Sequence, residues 1–468
     1  MAPPSATGPL AGPEIGPATG PVPNSPAVLD PRHAAARGGT AAAPPAARLP
    51  SGIPLPVALL LPVVAGLLIR VALLPVPGLL PDLEGFARWA HGIATGGFTT
   101  IYDDGLVYPA LVPWIWGGLS LVQPALRASA DMSDPTVFGA LKVPGVVADI
   151  GLALAVGYGL RARPRWAFAA AAALLLHPAL IHISAWWGQF DSIYGLAAVV
   201  AWLLISAGRL GWAAVALAAM VTTKPQAVVL LVPYGAWYLG RLGPRGLVRP
   251  VAAGLLTIVV LWLPFLAAGG PQAWLANLAA NQDGPFGVLS LRAWNPWWII
   301  QVVASNGEFA IDSDTVGGLL TFRQIGLILA VLFELPIFLA VLRSPTPRTL
   351  AWGVAAAQLA ALMTLTTMHE RYAFVAVAML PLAFPDRRAV GLWLALSVVF
   401  TLNVLAAVPP TPAIHAALPV GGVLGVVGSY AMALITIATV LVLARGGGGM
   451  GEGARPAATG AARAARPA

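Results

Sequence analysis

The sequence predicts an all-α, polytopic membrane bundle, and three observations predict it. Of 468 residues 58% are apolar and only 9% charged, whereas a soluble domain carries about a quarter charged residues. Apolar stretches approaching the ~20 residues that cross a bilayer recur along most of the length. Arginines gather in a few short loops between these stretches, and most acids fall in other loops. With no cysteine, disulfides and thiolate metal sites are excluded. The net charge of +8 is scattered over short loops, so no nucleic-acid partner is expected.

Residues 1–50 are rich in Pro, Ala and Gly, without hydrophobic periodicity. They read as a disordered cytoplasmic tail lacking the charged-then-apolar order of a cleaved signal peptide. The membrane domain occupies 51–445, and a second disordered tail, rich in Gly, Ala and Arg, occupies 446–468. Candidate spans are 57–75, 137–160, 166–183, 190–207, 211–223, 226–240, 251–268, 319–342, 350–367, 372–385, 389–407 and 420–443. The chain shows no internal repeat.

Four basic loops orient these spans: Arg161 with Arg163 and Arg165, Arg241 with Arg245 and Arg249, Arg343 with Arg348, and Arg387 with Arg388. Placing all four and both tails in the cytoplasm gives about twelve crossings by the positive-inside rule. Asp82, Glu84, Asp103, Asp104, Asp191, Asp283, Glu308, Asp312, Asp314 and Glu370 then lie outside. The rule counts only Lys and Arg, so this acidic face is an independent observation. A crossing at 108–123 would invert the Arg161 loop, and its prolines and tryptophans suit a helix lying flat at the interface. That segment sits in a long outer loop, 76–136, and 294–303 is treated alike within the outer loop 269–318. Long loops with apolar segments of their own are uncommon unless functional.

Asp82 and Glu84, just past the first span, suit a general base or a metal ligand; they equally suit a solvated loop. Asp191 lies beside Gln189 and the Trp186–Trp187 pair, where polar groups within apolar sequence are functional candidates. An interfacial tryptophan belt with a helix-starting Asp–Ser pair accounts for it as well. Lys224, in a turn between two short spans, suits a phosphate or snorkels to the surface. His369, Glu370 and Arg371 stand in a row between apolar spans, and a guanidinium there would fork onto phosphate oxygens; the alternative is a turn with an internal Glu–Arg pair. Arg292 and Asn295 lie among three tryptophans that suit sugar stacking or interfacial anchoring. Mid-span Asp149 and Glu334 read as helix-to-helix hydrogen-bonding groups, with Lys142 and Asp149 on one helical face, able to serve one polar cavity.

Together these residues resemble the GT-C superfamily of membrane glycosyltransferases, nearest to the dolichyl-phosphate-glucose or -mannose dependent enzymes and their bacterial relatives. The resemblance covers roughly 55–385, in the family's order. Asp82 with Glu84 matches the acidic motif after the first span. Gly97, Ile101–Tyr102 and Tyr108–Pro109 match a G…IY…YPPL stretch, with Ala110 replacing the second proline. Trp187, Gly188, Gln189 and Asp191 match WGQ-D, followed by Lys224–Gln226, the NPWW of 295–298 and the HERY of 369–372. Phe86 departs from a tyrosine common in relatives.

The resemblance implies an inverting transfer from a polyprenyl-phosphate-sugar donor to a glycan or glycolipid acceptor, on the outer face of the plasma membrane and among its lipids. It implies Asp82 as general base, Glu84 or Asp191 orienting the acceptor, and Arg371 with Lys224 holding the phosphate, assisted by His369. Gln189, Asn295 and Glu370 join them as substrate-binding candidates, and neither cofactor nor metal is expected. A transporter or flippase of a lipid-linked sugar would share the spans, but the chain shows no duplicated halves and its charged clusters gather at one surface; a non-enzymatic envelope scaffold would explain the spans but not the ordered motifs.

Overall fold

Proline opens most of the helices, at first-turn positions where its missing N–H would have no partner anyway. The structure is a computed structural model that describes residues 49–304 and 310–446, within the unit Ala46–Ala468. Glu308 and, apart from their inner edges, both tail assignments lie outside the described residues.

Helix α1 (Leu55–Leu73) leads into a long connection holding α2 (Leu80–Gly96), α3 (Leu111–Val122) and α4 (Pro124–Ala128). Then come α5 (Pro135–Gly159) and the pair α6 (Pro164–Leu175) and α7 (Pro178–Ile181), which a π-helical turn continues over His182–Trp187. Next are α8 (Asp191–Ser206), α9 (Leu210–Val221), a 3-10 turn at Pro225–Leu230, α10 (Leu231–Gly246) and α11 (Val248–Leu266). A second connection carries α12 (Gly270–Asp283), β1 (Ser290–Leu291), α13 (Pro296–Ala304), β2 (Thr315–Val316) and β3 (Leu320–Thr321). The chain continues through α14 (Phe322–Arg343), α15 (Pro347–Thr364), β4 (Met368–His369), α16 (Phe374–Met379), α17 (Arg387–Ala407), α18 (Pro412–Ala417) and α19 (Gly422–Ala444).

By length and composition α1, α5, α11, α14, α17 and α19 can each cross a membrane, and the α6–α7 pair, bent by 43°, makes a seventh. Every one of the twelve apolar segments read from sequence contains helix, but the others are short, broken or sheathed by neighbours. α15 is buried from Thr349 to Thr364 and packs against α10, α14, α16 and α19. Its alanines and Gly353 allow close approach: a Cβ at Gly353 would lie 2.5 Å from Val341 Cγ2. α1, α11 and α14 instead keep most of their apolar surface exposed, as a lipid-facing sheath would. The predicted interfacial segments form helix, as α3 and α13.

Two ends of the bundle differ in chemistry. Arg163 donates to the Phe384 carbonyl (3.3 Å), Arg348 pairs with Asp386 (2.9 Å), and Trp202 donates to the Pro347 carbonyl (2.7 Å), so three of the basic stretches meet. α8 starts at Asp191 and ends beside this cluster, a span of roughly 24 Å at 1.5 Å per residue. The acids of the predicted motifs collect at its starting end.

Between these ends lies an ion pair of two fully buried side chains. Arg70 of α1 donates twice to Asp149 Oδ2 of α5, at 3.0 and 3.1 Å, and Ser184 donates to the same oxygen at 2.5 Å. The break between α6 and α7 frees the Leu175 carbonyl, which Arg70 takes up at 2.7 Å. Asp149 thus bridges helices as expected, but it shares no cavity with Lys142. That lysine donates instead to the carbonyls of Leu73 and Val76, at 3.2 and 2.5 Å. Glu334 departs from expectation: neither carboxylate oxygen has a hydrogen-bond partner among the described residues.

Asp149→Ala would leave Arg70 charged without its anion, which for a buried pair costs about 3–5 kcal/mol. We expect a markedly lower thermal midpoint in detergent, recovered in large part by the double variant Arg70→Met, Asp149→Leu; equal midpoints for wild type and Asp149→Ala would contradict the pairing.

Candidate functional site

The end of the bundle away from the basic loops is built around one close approach. Gly78, in the turn between α1 and α2, has a φ of 65°, and any side chain there would collide with the Trp186 carbonyl. This contact brings the first turn of α2 against the π-helical turn. Asp82 sits in that first turn, where the helix dipole favours a carboxylate. Its Oδ2 accepts from Trp187 Nε1 at 2.9 Å and from Gln189 Nε2 at 2.6 Å. Between those two donors, Gly188 adopts a left-handed conformation (φ 95°), and a Cβ there would lie 2.5 Å from Leu83 Cδ2. Glycine is the residue that fits, and the turn it permits aims both flanking side chains at Asp82.

The network continues from Gln189 through Lys224 to Asp191. Lys224 Nζ donates to Gln189 Oε1 at 3.1 Å and to Asp191 Oδ2 at 3.0 Å. Arg371 Nε lies 3.5 Å from the same Asp191 oxygen, and its guanidinium stands 4.8 Å from the Trp187 ring centre. Arg371 NH1 also reaches Glu370 Oε1 at 3.2 Å and His369 Nδ1 at 3.0 Å. A parallel pairing of β1 with β4 holds His369 opposite Leu291. Arg323 braces the neighbouring loop by gripping Asp312 with two bonds of 2.9 Å, and Thr366 donates to that aspartate at 2.9 Å.

Burial shapes the charges. It brings Lys224 down to about 8, with Asp191 opposing the fall. Burial, and then the Arg371 charge, lower the pKa of His369, so its Nδ1 is free to accept from Arg371. Burial also works against the charge on Arg371, but Asp191, then Tyr372 and Glu370, outweigh it and hold the guanidinium protonated.

Two adjoining cavities open onto this network. The larger, about 650 Å³, is lined by Asp82, Arg88, Trp89, Gln189, Arg292 and Glu370. The second, about 560 Å³, is lined by Gln226, Asn281, Asp283 and Arg323. Tyr108, Phe286, His369 and Arg371 line both and form the wall between them. Edge-on aromatic contacts of Phe86 with Phe190 (5.5 Å) and of Tyr108 with Phe190 (5.0 Å) pack beneath the larger one. Among the described residues no group of three or more His, Asp or Glu side chains is placed to hold a metal ion.

Asp82, Gln189, Asp191, Lys224, His369, Glu370 and Arg371 therefore meet in one network of hydrogen bonds and ion contacts. Glu84 does not join them: two residues along a helix turns it about 200° from Asp82, and it is exposed. Asn295 caps α13, accepting from Trp298 N at 2.9 Å and donating to the Leu362 carbonyl at 3.0 Å; it lines neither cavity. Lys224 and Asp191, read as substrate contacts, are sealed beneath the cavities, 1% and 0% exposed. The Glu–Arg pair inside HERY is present, and Arg371 reaches a second acid as well. Sequence reasoning missed Arg88, Trp89 and Arg323. The 82–86–89 spacing on one face of α2 could have found Trp89; Arg323 at the start of an apolar helix gave no signal.

Asp191→Asn would strand Lys224 and Arg371 around a neutral amide, a loss of about 3–5 kcal/mol for buried charges. Exposed Glu84→Gln should stay within about 0.5 kcal/mol of wild type. Thermal unfolding in detergent checks both, and an unshifted Asp191→Asn midpoint would rule out the shared anion. No family model matches the chain, and no curated protein is significantly similar to it.

Proposed function

We propose that the chain is an inverting glycosyltransferase that moves a hexose-type sugar from a polyprenyl-phosphate carrier to a lipid-linked or envelope glycan acceptor. The observation that supports it best is convergence. Asp82, Gln189 and Arg371, from three stretches far apart in sequence, line one cavity together, and Arg371 also lines the second. The cavity at Asp82 holds two carboxylates, Asp82 and Glu370, with aromatic rings and Arg88, Arg292 and Arg371; the other holds Arg323 and Arg371 against Asp283.

In this reading the acceptor hydroxyl gives its proton to Asp82 as its oxygen attacks the anomeric carbon. The bond to the phosphate oxygen breaks on the opposite side, and the electron pair leaves with the phosphate. Among the described residues both hydrogen bonds to Asp82 fall on Oδ2, so Oδ1 is the oxygen available to the hydroxyl. Arg371 faces both cavities and steadies the departing phosphate, with Arg323 beside it; preorganised charge of this kind often supplies the largest share of a rate enhancement. Lys224, buried and paired, serves the site indirectly rather than gripping phosphate. In this reading neither cofactor nor metal is expected.

The topology that goes with this has about twelve crossings, counting the short and broken segments, with both termini cytoplasmic. The meeting of Arg163, Arg348 and the 384–388 turn at one end of α8 and α15 supports it, because the acidic network then lies at the outer face of the plasma membrane. A transporter or flippase of a lipid-linked sugar is the alternative, and Glu334 of α14, without a hydrogen-bond partner among the described residues, is the observation that favours it.

Asp82→Asn should lower turnover by about two to four powers of ten in membranes supplied with a polyprenyl-phosphate sugar; unchanged turnover with normal insertion would remove Asp82 from the mechanism. Lys224 keeps its proton below about 8 and loses it above, so activity should fall as pH rises through that value. Lys224→Arg should move this basic limb upward, as a pH–rate profile would read.

A further inference from the structure

We propose that Lys224 is a positioning residue that acts on Asp82 through Gln189, fixing which oxygen of Asp82 takes up a proton. An ammonium group has three donors and no acceptor, so the Gln189 atom 3.1 Å from Lys224 Nζ must be the carbonyl oxygen. The amide nitrogen therefore points the other way, 2.6 Å from Asp82 Oδ2. Trp187 Nε1, which can only donate, meets that oxygen at 2.9 Å. Oδ2 thus holds two donors and cannot accept a proton without displacing one. Oδ1 is left as the proton acceptor.

Lys224 exerts this effect from outside the cavities. It is 1% exposed, lines neither cavity, and lies against Asp191 and 4.4 Å from the Phe190 ring centre. Without its charge the amide is free to turn over and set Oε1 against the Asp82 carboxylate, oxygen to oxygen. The other ionisable groups around Asp82 are Arg88, Tyr108, Arg292, His369, Glu370, Arg371 and Tyr372. Among the described residues none of them hydrogen-bonds to it, so Lys224 is the cation whose influence arrives through a fixed donor.

The inference rests on the transferase reading only for its activity arm, and the deciding measurement needs no substrate. The full chain in lipid nanodiscs is titrated by infrared spectroscopy, with the Asp82 carboxylic-acid band assigned by its disappearance in Asp82→Asn. Losing a hydrogen bond to the ionised form should raise the midpoint of that band by about one pH unit or more in Lys224→Met. Lys224→Arg, which keeps the donor, should restore it. Gln189→Met removes the donor but leaves the Lys224–Asp191 pair, so it should raise the midpoint even where Lys224→Met fails to fold. A wild-type midpoint in Gln189→Met, or in folded Lys224→Met, overturns the proposal. With donor sugar supplied, the acid limb of kcat/KM should move up by the same amount in these variants. Absence of turnover in the wild type would count against the transferase reading alone, since the infrared titration stands without it.

Discussion

The site depends on one carboxylate that cannot be given up. Asp191 is wholly buried, and its Oδ2 lies at 3.0 Å from Lys224 and 3.5 Å from Arg371. Two cations in an apolar bundle would each carry several kcal/mol of desolvation penalty without an anion in contact. Sharing one oxygen draws both toward one point, and each then carries order outward. Lys224 orients Gln189, which holds Asp82; Arg371 gathers Glu370 and His369 and stacks on Trp187. Because every member holds the next, no side chain of the network has to be rigid by itself.

A single irregular stretch serves both Asp149 and Asp82. The π-helical turn His182–Trp187 follows the α6–α7 break, and its Ser184 donates to Asp149, the partner of Arg70. Five residues later the same stretch has supplied Trp187 and Gln189 to Asp82. Extra residues in a helical turn advance the side chains out of step, which is why such turns recur where function is concentrated. Here the offset lets one face of the segment tie α1 to α5 deep in the bundle. The next residues, past Gly188, reach the cavity wall.

Much of this was legible in the sequence, and for a definable reason. Apolar length and arginine position depend on local composition, so the positions of helix-bearing segments and the separation of basic from acidic ends could be read directly. The motif residues could be singled out because ionisable groups in apolar surroundings are costly and therefore stand out. Their partners could not. Lys224 as a buried ion-pair partner, Asn295 as a helix cap and Arg323 as a clamp on Asp312 are all settled by contacts between segments distant in the chain. Glu84 shows the limit from the other side: neighbours in sequence, Asp82 and Glu84 face different surroundings because a helix turns about 100° per residue.

On the transferase reading proposed above, the arrangement of cavities bears on why Arg371 lies where it does. In a displacement with inversion, the attacking oxygen and the departing phosphate occupy opposite sides of the anomeric carbon. A single pocket would have to hold a carboxylate and a phosphate close together, and their repulsion would oppose binding. Dividing the space sets Asp82 and the phosphate apart: Asp82 borders one cavity, Arg323 in its pair with Asp283 the other, and Arg371 with His369 stands in the wall. A guanidinium in that position would meet negative charge as it develops on the far side while staying tied, through Asp191, Lys224 and Gln189, to the proposed base on the near side. On the transferase reading, the buried network is what couples the two halves of the reaction.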